Sequence, residues 1–199
     1  MKKSIVTLLC LATLAACKKN ETTVVDHSTD STAMVAANDS TTMVKDSVDA
    51  GKLSSLNDQD KKFADDAARG GMMEVMMGEL AATNASNSRV KELGNMMVQD
   101  HGKANDELKN WASAIGYPLP TKLDAEKQKK YDDLMTKKGV DFDRAYSSLM
   151  VKDHKEDIAA FKKEAADGAE DGLKLFAGKT VPTLEHHLVQ SEEVAKAVK

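Results

Sequence analysis

From Asn57 to the C-terminus the apolar residues of this chain recur three and four positions apart, interrupted only where Gly, Pro or Asn cluster. That spacing fits one face of an α-helix and not the two-residue alternation of a strand, so the chain is committed to a helical architecture. Five segments are predicted. The first, about 60 to 83, carries Phe63, Ala67, Gly70, Glu74, Met77 and Ala81 on one stripe and stops at Asn84-Ala85-Ser86-Asn87. The second, about 88 to 115, carries Val90, Leu93, Met97, His101, Ala104, Leu108, Trp111 and Ile115. Pro118 and Pro120 end it, since neither has the amide a helix needs. A short segment, 124 to about 137, stops at Gly139. The next, about 141 to 166, aligns Phe142, Tyr146, Met150, His154, Ile158, Phe161 and Ala165, and Asp167-Gly168 closes it. The last, 171 to 199, is expected to break near Gly178 and restart at Pro182, with Leu184, His187, Ser191, Val194 and Val198 facing inward. Four long amphipathic helices joined mostly by short turns predict an all-α, up-and-down four-helix bundle with an extra short helix between the second and third. Eleven Met against only four Phe, three Tyr and one Trp suit an Ala/Met/Leu core better than a β-sandwich.

Each long stripe is apolar except for one residue able to bind metal or move a proton: Glu74, His101, His154 and His187. In an antiparallel bundle, residues equally far from the connecting turn share a level. By that measure Glu74, His101 and His154 are level, and His187 is a looser fit. His186 lies about 100° around the helix and is expected to face water. Met97-Val98-Gln99-Asp100-His101 returns as Met150-Val151-Lys152-Asp153-His154, which suggests a pseudo-twofold bundle with facing histidines. Asp100 and Asp153 sit one position off the stripe, where each could orient a histidine of a neighbouring helix or face the bundle's flank; Tyr146 joins them in the outer shell of the cluster.

The N-terminus has its own pattern. Met1-Lys2-Lys3 is followed by an apolar stretch from Ile5 to Leu14 and then by Leu14-Ala15-Ala16-Cys17. This resembles a bacterial lipoprotein signal, in which residues 1–16 are removed and Cys17 is lipidated (palmitate). The stretch is about half of what a membrane-spanning helix requires, whereas two or three acyl chains make a stable anchor. Cys10 would leave with the signal, so no thiol would remain for metal binding or catalysis. Residues 17–57 hold twelve Ser/Thr between Lys18 and Asn57, with no Pro or aromatic. They are expected to form a flexible tether of about 35 Å, with an idle His27. The folded domain then covers 58–199. Lys18-Lys19 lack the aspartate that signals inner-membrane retention in enterobacterial lipoproteins, so an outer-membrane anchor facing the periplasm is expected.

The domain resembles the bacterial envelope family known as domain of unknown function 4142, described as predicted outer-membrane proteins. The residues that carry the resemblance are Glu74 with Gly78-Glu79-Leu80-Ala81, Met97-Val98 with Asp100-His101, Phe142-Asp143 with Tyr146, Met150-Val151 with His154, and Pro182 with His187-Leu188. The resemblance implies a ferritin-like bundle and an envelope location, and no established reaction.

A ferritin-like bundle invites a di-iron centre, which needs Glu-x-x-His on two helices and Glu on two more. The chain has no Glu-x-x-His, so di-iron chemistry is not expected. Three imidazoles and a carboxylate do suit one divalent transition metal such as zinc, copper or iron. The same four residues can instead form a hydrogen-bonded polar layer that fixes helix register, and this structural role is the primary expectation. Met72, Met73, Met76, Met77, Met96, Met97 and Met150 could serve copper(I), but Met on helices is more often core filling. No phosphate loop, nucleophile elbow or paired-carboxylate constellation is present, so no enzyme activity is expected. A net charge of −4 with signs interspersed gives no footprint for nucleic acid. The other class of role is an envelope stress or interaction module docking on a protein partner, through a patch on the short segment whose Leu123, Tyr131 and Leu134 could either cover the bundle or serve that partner. Buried neutral histidines further predict a loss of stability on acidification.

Overall fold

A computed structural model describes residues 56–199. The expected signal sequence with Cys17, and His27 with nearly all of the expected tether, lie outside the described residues.

Five helices follow one another: α1 (Asp58–Asn84), α2 (Ser88–Ile115), α3 (Ala125–Met135), α4 (Gly139–Asp167) and α5 (Asp171–Ala197). Among the described residues there is no strand. The long helices form two hairpins, α1 with α2 and α4 with α5. These pack α1 against α4 and α2 against α5 to make a four-helix bundle of the ferritin-like kind, with α3 laid on α1.

Local chemistry sets the boundaries. Asn57 caps α1 in a reciprocal box with Asp60, and Asn87 and Asp124 accept from first-turn amides of α2 and α3. Gly116, at φ 73°, closes α2 in the left-handed conformation that favours glycine. The expected break in α5 does not occur, because the helix runs through both Gly178 and Pro182. Proline removes only one amide from the ladder, whose partner would have been the Gly178 carbonyl, and the stripe from Leu173 to Val194 buries enough apolar surface to keep the helix continuous.

Both ends of the bundle are clamped. At one end the Asp143 carboxylate of α4 accepts from the amides of Ser86 and Asn87 and from the Ser86 hydroxyl, which ties the α1–α2 turn down. At the other, Asp60 accepts from the Ala169 amide at 2.9 Å, while Glu170 accepts from both the Leu173 amide and the Trp111 indole. The core divides accordingly. Met73, Met77, Met97, Phe142, Tyr146 and Met150 belong to one apolar cluster, and Phe63, Leu108, Leu173 and Phe176 to the other. Met73, Met77, Met97 and Met150 thus fill core. Leu134 is buried and Leu123 and Tyr131 pack against the first cluster, so of the two roles open to them these residues take that of covering the bundle.

Candidate metal centre

Between the two apolar clusters, each long helix places its one polar stripe residue in the interior. Glu74, His101, His154 and His187 are all buried. One side-chain nitrogen from each histidine lies within 4.8 Å of those of the other two, and the ring centroids stand 5.2 to 5.5 Å apart. The level arithmetic from the sequence therefore corresponds to real proximity, and the proximity includes His187. His186 is exposed.

The hydrogen positions follow from the partners. Met150 offers a carbonyl oxygen 2.9 Å from His154 Nδ1, and a carbonyl only accepts, so Nδ1 carries the hydrogen. His101 Nδ1 lies 3.0 Å from Glu74 Oε2, and His187 Nε2 lies 3.1 Å from Asp100 Oδ2. Asp100 is held ionised, so His187 Nε2 donates to it, and His101 Nδ1 donates to Glu74 in the form in which that carboxyl, lifted to about 7, has lost its proton. Each neutral ring thus turns its N–H outward to an oxygen and its lone pair inward. The inward atoms are His101 Nε2, His154 Nε2 and His187 Nδ1. The first of these is buried with no hydrogen-bond partner among the described residues. The other two face each other at 3.2 Å, a contact that two lone pairs cannot hold without a proton or another cation between them.

Bulk water is a poor source for that proton near neutrality. Burial pushes His101 down to about 4, despite the nearby charges of Asp157 and Asp100. Burial, helped by His101, takes His187 to about 4 as well, against the pull of Asp100. Burial also lowers His154, although Glu74 opposes it. Glu74 itself is lifted by burial to about 7. For Asp100 burial works upward, but the hydrogen bonds from His187 and Lys103 prevail and hold it below its ordinary value.

The expected outer shell divides. Asp100 orients His187. Asp153 turns away from the histidines and bonds Lys130 of α3 at 3.2 Å, because its position off the stripe faces the short helix. The Tyr146 hydroxyl is buried with no hydrogen-bond partner among the described residues; the ring stacks on Phe142, and burial and the Glu74 charge both keep its proton on.

Sequence reasoning missed Asp157. It stands three residues beyond His154, half-buried, and burial together with the Glu74 charge raises it well above the ordinary carboxylate range. The three-residue spacing from His154 was the available signal, obscured by Ile158, which fits the apolar stripe equally well. Asp157, Glu74, His101 and Asn105 border a cavity of about 20 Å³, enough for about one water. Gly71 leaves room for Asn105 there, since a Cβ on it would fall 2.0 Å from Asn105 Oδ1.

The family model for the domain of unknown function DUF4142 matches residues 44–194. No curated protein matches the chain. Among solved structures, a DUF305 fragment from Deinococcus radiodurans aligns at a TM-score of 0.63 and 13% identity, over 71% of this chain and 98% of that one. CopM in its Cu(II)-bound form aligns at 0.60 and 16% over 70% and 97%, and in its Cu(I)-bound form at 0.58 and 16% over 69% and 96%. At these identities the likeness is one of fold.

Proposed function

The chain belongs to the DUF4142 family, and from that premise we propose that it is a non-enzymatic, lipid-anchored envelope protein that binds one transition-metal ion of the zinc or copper type through His101, His154 and His187. The observation that carries the reading is the convergence of three inward lone pairs, each fixed by an outward N–H held on Glu74, Met150 or Asp100. Metal-bound histidines characteristically have such outer partners.

Two of the three donors stand at the spacing an ion needs, and the third lies within 4.8 Å of both. Two nitrogens about 2.0–2.1 Å from a tetrahedral metal stand about 3.3 Å apart. His154 Nε2 and His187 Nδ1 are 3.2 Å apart. A metal cation would supply the positive charge that the facing lone pairs require, together with Lewis acidity in the interior of the bundle. Neutral imidazoles suit zinc and copper. The fold shared with a protein solved in two copper-bound forms agrees with the proposal but does not select copper.

The test uses the full chain purified without affinity histidines. One metal ion per chain by mass spectrometry is the expected result, lost in His101→Ala and His154→Ala. Free metal at a hundred times Kd should stabilise the fold by about 2.7 kcal/mol. No stoichiometric metal, and no response of melting to zinc, copper or EDTA, would leave the cluster as a structural polar layer. The anchor rests on the Leu14-Ala15-Ala16-Cys17 pattern, and no helix among the described residues is long and apolar enough to cross a membrane. Cys17→Ser should move the protein from the membrane fraction to the soluble one.

A further inference from the structure

Two grooves approach the cluster from outside, and they differ in what they reach. The groove between α1 and α4, about 230 Å³, is floored by Phe63, Ala67 and Phe161 and touches Asp157 but none of the three histidines. The groove between α2 and α5, about 170 Å³, has His101 and His187 in its wall, with Asp100 and Thr183 beside them. Asp100 is partly exposed, so its carboxylate faces the groove while it holds His187. Across this groove Lys179 of α5 pairs with Glu107 of α2 at 2.7 Å, while Lys103 pairs with Asp100 along α2 itself at 3.2 Å.

We propose that the α2–α5 groove is the port through which the hydrated metal cation reaches and leaves the histidines, with the Lys179–Glu107 pair as the latch at its mouth. The inference rests on the metal-binding reading above and adds a route to it. A hydrated divalent cation sheds water only where oxygen or nitrogen ligands replace it. The α2–α5 groove offers the Asp100 carboxylate and then two imidazoles in turn. The α1–α4 groove has carboxyl groups of its own, Asp66 and Glu164 among them, but its apolar floor leads to none of the three imidazoles. The latch is a pair of half-exposed side chains, so opening it costs little and does not disturb the ligands.

A port has a kinetic signature that a ligand or a structural residue lacks. Because it lies on the path and not at the end of it, changing it must alter uptake and release by the same factor and leave Kd unchanged. In the full chain, zinc uptake is followed by stopped flow and release by trapping in excess EDTA. Lys179→Ala, which removes the latch, should speed both at least threefold. Thr183→Leu, which narrows the groove, should slow both about tenfold. Ala160→Leu, a comparable addition beside the α1–α4 groove, should leave both unchanged. Zinc that binds tightly to the wild type but exchanges at wild-type rates in Lys179→Ala and Thr183→Leu would overturn the port and spare the metal site. So would slowing by Ala160→Leu alone. Absence of zinc and copper binding in the wild type would overturn both.

Discussion

At the scale of single residues the site is decided by which atom of each imidazole carries hydrogen. Asp100 is the sharpest case: it fixes the His187 tautomer through one 3.1 Å contact while standing outside the ligand set. Replacing such an outer partner typically weakens metal affinity 10–100-fold. Asp100→Ala should therefore weaken zinc binding by about that factor, measured by competition with a chelator, with melting of the metal-free protein nearly unchanged because the carboxylate is partly exposed. An unchanged affinity would mean that His187 is not held as a ligand. The four interior residues were legible because a polar residue on an apolar stripe is conspicuous, and Asp100 because it sits one position off that stripe. Asp153 reads identically in the repeated motif, yet it pairs with Lys130. Nothing in the repeat itself says that one copy has α3 packed against it. Asp157 was hidden by competition with Ile158 for the same face.

At the scale of helices, glycine sets how closely α1 and α2 approach. A Cβ on Gly94 would lie 2.5 Å from the Ala81 Cβ and 2.8 Å from the Gly78 carbonyl oxygen, and one on Gly78 would lie 2.6 Å from the Gly94 carbonyl oxygen. The obstacles are backbone and a short side chain, neither of which can rotate away. Gly94→Ala should thus destabilise the fold by about 1–3 kcal/mol, the usual range for overpacking, even though alanine is the better helix former. Gly70 makes the opposite case. It is buried on the same helix as Gly78, but a Cβ there meets no atom within 4 Å. Gly70→Ala should raise stability by about 0.5–1 kcal/mol through helix propensity alone. Denaturant midpoints for the two variants check the pair, and equal signs would contradict the geometry. Spacing in the sequence located the helices and most of their ends, since stripes and caps are local. It misplaced a break at Gly178 and Pro182 because a lone proline's effect depends on burial on either side, which only the packed bundle supplies.

At the scale of the whole molecule, the charges of the interior work against one another with pH. Histidines whose pKa falls on folding contribute stability that is complete above the unfolded value of about 6.5 and is lost as pH falls toward about 4. Carboxyls whose pKa rises on folding do the reverse. Glu74 and Glu164, both lifted to about 7 by burial, contribute stability that is complete below about 4.5 and is lost as pH rises through 7. Asp157 adds in the same direction. Between about pH 4.5 and 6.5 the two sets overlap and oppose. The acid destabilisation expected from the histidines alone is therefore offset, and the metal-free protein should melt at nearly constant temperature across that window. The cancellation itself can be exposed. Gln at position 74 keeps an oxygen to accept from His101 but cannot take up a proton, so Glu74→Gln removes one opposing carboxyl and leaves the histidines in place. Its melting temperature should fall on going from pH 7 to pH 5 more steeply than that of the wild type, measured in EDTA so that no metal is bound. Parallel curves for the two proteins would mean that Glu74 is ionised throughout, and that the interior balances its histidines in another way.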